Sequence, residues 1–288
     1  MRHGGDVKVT TAGSRPGPIS RVQRGGDTVA RRSEFAWLAR GGLVARGVVY
    51  GVVGIIALKV AVGSGGKATN QQGALTTIAR QPFGKVLLIA TAIGLGGYAA
   101  WRLLRAAIGH GTQERDSAFD RVAALASGLA YAALCVTAVK ILIGASSSGA
   151  ANNPQKTTAG VLGWTGGPEI VGIVGAIFIG VALYQGYKGV SEKFMDSSNT
   201  AQMSRQVRRA YTAIGIFGHL ARMVVFGLVG YGLIKAALDY NPHNAIGLDG
   251  ALNKLAHSPY GPLLLGIVAV GLIGFGLYSI VDARYRKV

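Results

Sequence analysis

The chain has 288 residues, half of them hydrophobic, with 45 glycines, only 15% charged residues and a formal charge of +18. That composition, with a positive mean hydropathy, excludes an ordinary soluble two-domain protein and points to the membrane. The basic excess could mark nucleic-acid binding, but no zinc-finger spacing or aromatic-plus-basic RNA motif accompanies it. Membrane topology accounts for the charge, and no nucleic acid is expected as a partner.

In chain order, residues 1–39 read as a disordered basic tail rich in Arg, Gly and Ser. It is either plainly solvated or drawn to anionic lipid, at roughly 1 kcal/mol per basic residue near the surface. The first 35 residues hold no apolar core of the kind a signal peptide needs, and no lipidation motif is seen. Six apolar stretches follow, near 41–62, 84–108, 121–144, 168–190, 213–238 and 261–282. Each is about the length that crosses a hydrocarbon core of roughly 30 Å.

Lys and Arg resist translocation. They crowd the segment before the first stretch and the links after the second and fourth, where Arg115, Lys193, Arg205, Arg208 and Arg209 lie. The links after stretches one, three and five hold few. Both termini are therefore expected in the cytoplasm.

The stretches repeat. RGVVYGVVGIIALKVAV from Arg46 aligns with SGLAYAALCVTAVKILI from Ser127 and RMVVFGLVGYGLIKAAL from Arg222, bringing Tyr50, Tyr131 and Phe226 into register, as well as Lys59, Lys140 and Lys235. GALTTIARQPFGKVLL from Gly73 parallels GALNKLAHSPYGPLLL from Gly250, and the middle copy keeps a degenerate AGVLGWTGGPEIVG from Ala159. Aromatic pairs close each copy: Tyr98 with Trp101, Tyr184 with Tyr187, Phe275 with Tyr278. The expected fold is all-α: six transmembrane helices as three parallel two-helix hairpins, over residues 40–110, 117–190 and 213–285.

An Arg-Gly start, a Val-Val-Tyr-Gly run, a Gly-Ala-Leu segment, a Gln-Pro-Phe-Gly entry and a Gly-Tyr-x-x-Trp exit together resemble the bacterial, mainly actinobacterial, membrane family called domain of unknown function 1206. The resemblance covers roughly residues 40–285 and is strongest in the first and third copies, since the second lacks the Pro-Phe-Gly entry. It implies tandem two-helix repeats in a membrane. It implies no activity.

Arg46 and Lys59 stand 13 positions apart, as do Arg222 and Lys235, or about 20 Å of helix. Long cationic stems reach toward the interface at both ends, so Arg46 and Arg222, with Trp101, Tyr187 and Tyr278, are expected as inner-interface anchors. Lys59, Lys140 and Lys235 mark the outer end. They are either topological anchors or a ring of contacts for an anion or lipid headgroup. Gly47, Gly51 and Gly54 share a face of about 60 degrees, echoed by Gly227 and Gly230, and small residues at this spacing let helices approach closely. Ala74, Leu75, Ile78 and Ala79, and Ala251, Leu252, Leu255 and Ala256, predict short amphipathic helices in the outer interface. Pro82 and Pro259 are expected in the first turn of the span that follows.

No catalytic constellation is visible. His3, His110, His219, His243 and His257 are scattered, without metal-ligand spacing, and His219 is expected at an interface. Cys135 falls where the other copies have glycine and reads as a packing residue. Asp239, Asp282 and Glu169 lie near helix ends. Neither an enzyme nor a cofactor is expected. Two function classes stay open: a scaffold that binds membrane lipids, anionic ones included, or an envelope protein, and a small transporter or channel using the pseudo-threefold centre.

Overall fold

A computed structural model describes residues 33–108, 118–144 and 153–287. Each copy is a long helix, a short one and a second long one. The first comprises α1 (Ser33–Ala61), α2 (Gln71–Ala79) and α3 (Gly84–Ile108). The second comprises α4 (Ala118–Leu142), α5 (Pro154–Leu162) and α6 (Gly167–Val190), and the third α7 (Arg205–Leu238), α8 (Leu248–Ala256) and α9 (Gly261–Tyr285). All six long helices are long and apolar enough to cross a membrane. They match the expected stretches to a few residues, except that α1 begins at Ser33, well before 41, and α7 at Arg205, well before 213. Of the expected tail, residues 1–32 lie outside the described residues, as do His3, His110 and Arg115, and the chain is already helical from Ser33.

The second long helix of each copy packs on the first of the next: α3 on α4, α6 on α7, α9 on α1. The three copies thus close a ring. Within copies, α1 packs on α3 and α7 on α9, but α4 and α6 do not pack together.

One contact recurs at all three seams and fixes their register. A Cβ on Gly54 would stand 2.8 Å from the Ile273 nitrogen and 2.9 Å from the Ala269 oxygen, and one on Gly230 would stand 2.9 Å from both the Ile179 nitrogen and the Gly175 oxygen. Cys135, at the matching position, donates from Sγ to the Ala92 oxygen at 3.4 Å, a packing role as expected. Ala92, Gly175 and Ala269 are therefore equivalent. Six and nine residues on, Tyr98 and Trp101 correspond to Phe275 and Tyr278, and in α6 to Val181 and Tyr184. The sequence pairing of Tyr184 with Tyr187 lies almost a turn too far along α6, where a second aromatic pair mimics the first.

Glycine contributes unevenly to these seams. Gly47, Gly54 and Gly230 sit at the contacts, Gly47 with the Gly276 oxygen 2.6 Å from where a Cβ would be. A Cβ on Gly51 would meet nothing within 4 Å, and one on Gly227 only the Ala182 methyl at 3.9 Å. Gly51 still gives its backbone to the α1/α9 seam, since a Cβ on Gly276 would stand 2.9 Å from its nitrogen and 3.1 Å from its Cα, but neither Gly51 nor Gly227 points a Cα–H bond into a neighbouring backbone.

The connectors cap the ring. Asn70 Oδ1 accepts from the Gln72 and Gly73 amides at 3.1 Å and starts α2, and Asn153 does so for α5 through Lys156, caps typically worth about 1 kcal/mol. The apolar stripes, with Leu75 and Leu252 fully buried, turn into the bundle. Pro82 and Pro259 stand two residues ahead of their helices, not in the first turn. The residue between, Phe83 or Tyr260, has φ near +59°, a left-handed conformation that no helix can include. Gly166 takes that conformation in the middle copy, so Gly166-Gly167 preserves the entry turn without the Pro-Phe-Gly sequence.

Candidate functional site

At the centre of the ring is a cavity of about 1080 Å³, the size of a small-molecule or cofactor pocket. Equivalent residues of the three copies line it in layers: Val49, Ala130 and Val225, then Tyr50, Tyr131 and Phe226. At the end carrying the basic links, Lys193, Arg286 and Lys287 border the mouth together with Asp196. Toward the connectors it adjoins a second cavity of about 420 Å³, the two sharing Gln71, Leu134, Gly247 and Leu248.

Three guanidinium groups converge in the larger cavity. Arg46 donates from Nε to Ser279 Oγ at 3.1 Å and from Nη1 to the Tyr98 hydroxyl at 3.0 Å. That hydroxyl also accepts from Arg102 Nε and Nη2 at 3.1 and 3.0 Å. Arg46 and Arg222 lie 5.1 and 4.4 Å from the centroid of one ring, Phe275. In the orientation that satisfies its neighbours, Gln185 Oε1 accepts from both terminal nitrogens of Arg222 at 2.9 and 3.0 Å.

The recovered register explains the set. One position on the second helices holds Arg102, Gln185 and Ser279, and the facing position on the first helices holds Ser127, Arg222 and Arg46. Every seam thus carries one arginine and one neutral polar residue. At the α3/α4 seam the two have changed sides, which is why Ser127 in the first-helix alignment hid the third arginine.

These charges are held by neutral oxygens and aromatic faces. Among the described residues none of Arg46, Arg102, Arg222 or Lys188, which also lines the cavity, has a carboxylate within salt-bridge distance. The fully buried Asp282 is already engaged: it accepts from Ser198 Oγ at 2.8 Å, from the Tyr211 hydroxyl at 3.1 Å and from Arg286 at 3.1 Å. The nitrogens that Arg46 and Arg102 place within 3.1 Å of the Tyr98 hydroxyl oxygen are at most about 6 Å apart. Two unit charges at that distance repel by roughly 3 kcal/mol at an effective dielectric of 20. Cation–π contacts, about 2 kcal/mol when desolvated, offset part of this. An anion would offset the rest.

The other expected site residues distribute as follows. Trp101 and Tyr278 are buried within the bundle, not placed as interfacial anchors, and Arg46 is only 8% exposed. Tyr187 is 52% exposed, with the Lys193 ammonium 5.1 Å from its ring centroid. Lys59, Lys140 and Lys235 are all exposed, and none lines the cavity. His219 is 3% exposed, not interfacial. It packs among Phe194, Phe275 and Tyr278, borders the cavity, and neither ring nitrogen has a hydrogen-bond partner among the described residues. Its first-copy counterpart, Leu43, gave no hint of a polar role.

Six membrane-crossing helices arranged as three repeats around a polar cavity define a multi-pass membrane protein. The chain belongs to the bacterial family described as Domain of Unknown Function (DUF1206), which matches it three times, at residues 41–109, 122–192 and 217–286. It is also similar to the "Uncharacterized protein YxxB" of Bacillus subtilis (strain 168), at 36% identity over 256 residues, covering 87% of this chain and 92% of that protein. No solved structure matches.

Proposed function

We propose that the protein is a non-enzymatic binding protein of the bacterial cytoplasmic membrane that holds the anionic group of a membrane lipid in its central cavity, with both termini in the cytoplasm. One observation carries the reading: Arg46, Arg102 and Arg222 converge on Tyr98 and Phe275 without a carboxylate partner among the described residues. Arg46 is buried and Arg102 and Arg222 are half-buried; charges withdrawn from water are ordinarily paired, and a guanidinium fork fits the oxygens of a phosphate or carboxylate. The topology rests on the basic links, which lie at the end bearing the cavity mouth.

The test is native mass spectrometry of the full chain released from mixed phosphatidylglycerol and phosphatidylcholine bilayers. Wild type should retain phosphatidylglycerol in preference. Arg46→Gln with Arg222→Gln removes two charged hydrogen-bonding groups, each worth about 1.5–3 kcal/mol, and should lower that preference at least tenfold. Arg222→Lys keeps the charge and loses the fork, so an intermediate loss is expected. Equal retention by wild type and a folded double variant would overturn the reading. A second reading, transport through the pseudo-threefold centre, is favoured by the adjoining cavities, which together run from the basic mouth to the connectors. It requires that anionic lipid exchange between the faces of proteoliposomes depend on the same arginines.

A further inference from the structure

We infer that the middle hairpin is a lateral portal, through which a phospholipid enters sideways from the bilayer between α4 and α6, its phosphate reaching the arginines and a chain lying in the slot. The inference rests on the reading above and adds the path, the pose and the phosphate.

The slot has a cause in the sequence. In the first copy α1 meets α3 where Gly42 faces Tyr98 and the Gly94 oxygen, and where a Cβ on Gly94 would stand 2.8 Å from the Ala45 methyl. The third copy repeats this closely. A Cβ on Gly218 would stand 2.7 Å from the Phe275 Cα, and one on Gly271 2.5 Å from the Ala221 methyl. In the recovered register the middle copy has Ala123 and Ile177 at the two glycine positions. A methyl and a β-branched side chain now stand where two backbones would have to touch, so the hairpin cannot close. Accordingly α4 and α6 do not pack together, and only 22% and 28% of their spans are buried, against 50% and 56% for α1 and α9.

The occupant follows from the slot's two ends. Its outer edges are exposed and apolar, with Leu129 57% and Ile173 60% exposed, so within a bilayer they meet hydrocarbon. Its inner wall leads to the arginines. Toward the connectors the slot runs into the second cavity, whose lining includes Leu134, Val161, Val171, Val174 and Leu233, a surface suited to a hydrocarbon chain. A soluble anion would use the basic mouth and gain nothing from an apolar side opening. His219 supplies the second polar signal. An unpaired ring nitrogen costs free energy where it stands, and His219 packs on the Phe275 ring that also carries Arg46 and Arg222, so a phosphate bound there offers acceptor oxygens to the ring N–H as well as to the guanidiniums.

The experiment uses the full chain in phosphatidylcholine nanodiscs doped with phosphatidic acid bearing a diazirine near the end of one chain. After irradiation, labelled residues are mapped by peptide mass spectrometry. Label is expected on the inner wall, at the partly buried Leu134, Phe178 or Val181, displaced at least about tenfold by unlabelled phosphatidic acid and not by phosphatidylcholine or glycerol 3-phosphate. Label confined to outward residues such as Leu129 and Leu183, which are exposed and line neither cavity, with retention still dependent on Arg46 and Arg222, would overturn the portal and leave the headgroup reading standing. Displacement by glycerol 3-phosphate as readily as by lipid would replace the lipid by a soluble phosphate. Loss of the arginine dependence would remove both. His219→Leu, which restores the residue of the first copy, should weaken phosphatidic acid retention without unfolding the chain. Undiminished retention would remove the histidine from the site.

Discussion

The first and third hairpins close on paired glycines, while in the middle one, built on the same plan and bounded by the same kind of seam, the two long helices do not pack together. Seams between copies and contacts within copies therefore have different tolerances. All three seams are kept, because a broken seam would open the ring. One internal contact has been given up, and the ring survives because α4 is still held by α3 and α6 by α7.

The largest effect should come from copying the middle hairpin into a closed one. Gly271→Ile puts a branched side chain against Ala221 and the Phe217 oxygen. Overpacking of this kind costs about 1–3 kcal/mol or more, so the thermal midpoint in detergent should fall by roughly 5–10 °C, at about 2–4 °C per kcal/mol for a chain of this size. The reciprocal change, Ile177→Gly, removes only exposed apolar surface and should cost about 1 kcal/mol of helix propensity. Combined with Ala123→Gly it should let α4 and α6 approach, and lipid retention should then fall. Equal losses of stability at positions 271 and 177 would break the comparison between closed and open hairpins.

The seams are sharpened by a second ranking. Gly54→Leu and Gly230→Leu drive a side chain into a neighbouring backbone less than 3 Å away and should cost about 1–3 kcal/mol. Gly51→Leu enters open space and should cost less than about 1 kcal/mol, measured by the same thermal unfolding. A reversed order would mean that the seams do not have this register.

These contrasts also mark what the sequence could reveal. Span number, the threefold repeat and the short connector helices were legible because hydropathy and helical spacing act locally. The register of α6 was not. A shift of three residues rotates a helix by only about 60 degrees from a full turn, so Tyr184 and Tyr187 imitate the true pair while landing on a similar face. That small error hid both Ile177 as the counterpart of Gly94 and Gly271, and the grouping of Arg102 with Gln185 and Ser279. The three arginines were hidden for a further reason. A charge that crosses a seam from one helix to its neighbour leaves no mark in an alignment of copies, and only the packing restores it. His219 had no repeat partner at all.

Topology gives a third test. Single cysteines at Ser64 and His243, both exposed beside the connectors, should react with an impermeant thiol reagent on intact cells, and one at Gln202, exposed at the opposite end, should react only after lysis. Ser198 would be a poor probe, because it is buried against Tyr211 and Asp282. Labelling at Gln202 without lysis would invert the proposed orientation and place the basic mouth outside.

The smallest effect is expected at Lys59, Lys140 and Lys235. They recur in all three copies and so, by sequence alone, rival the arginines as an anion site. Their surroundings differ. Each is exposed near the connector end of its helix, none borders the central cavity, and water and lipid headgroups are free to solvate them. An exposed cation near a membrane surface gains about 1 kcal/mol from anionic lipid, and that attraction is spread over many lipids and screened by salt. Triple replacement by glutamine should therefore change phosphatidylglycerol retention less than about threefold and flatten its salt dependence, whereas the Arg46 and Arg222 pair should show a large, weakly salt-dependent loss. If the lysine triple instead abolishes retention and the arginine pair does not, the binding site lies at the connector end, and the open middle hairpin needs another explanation.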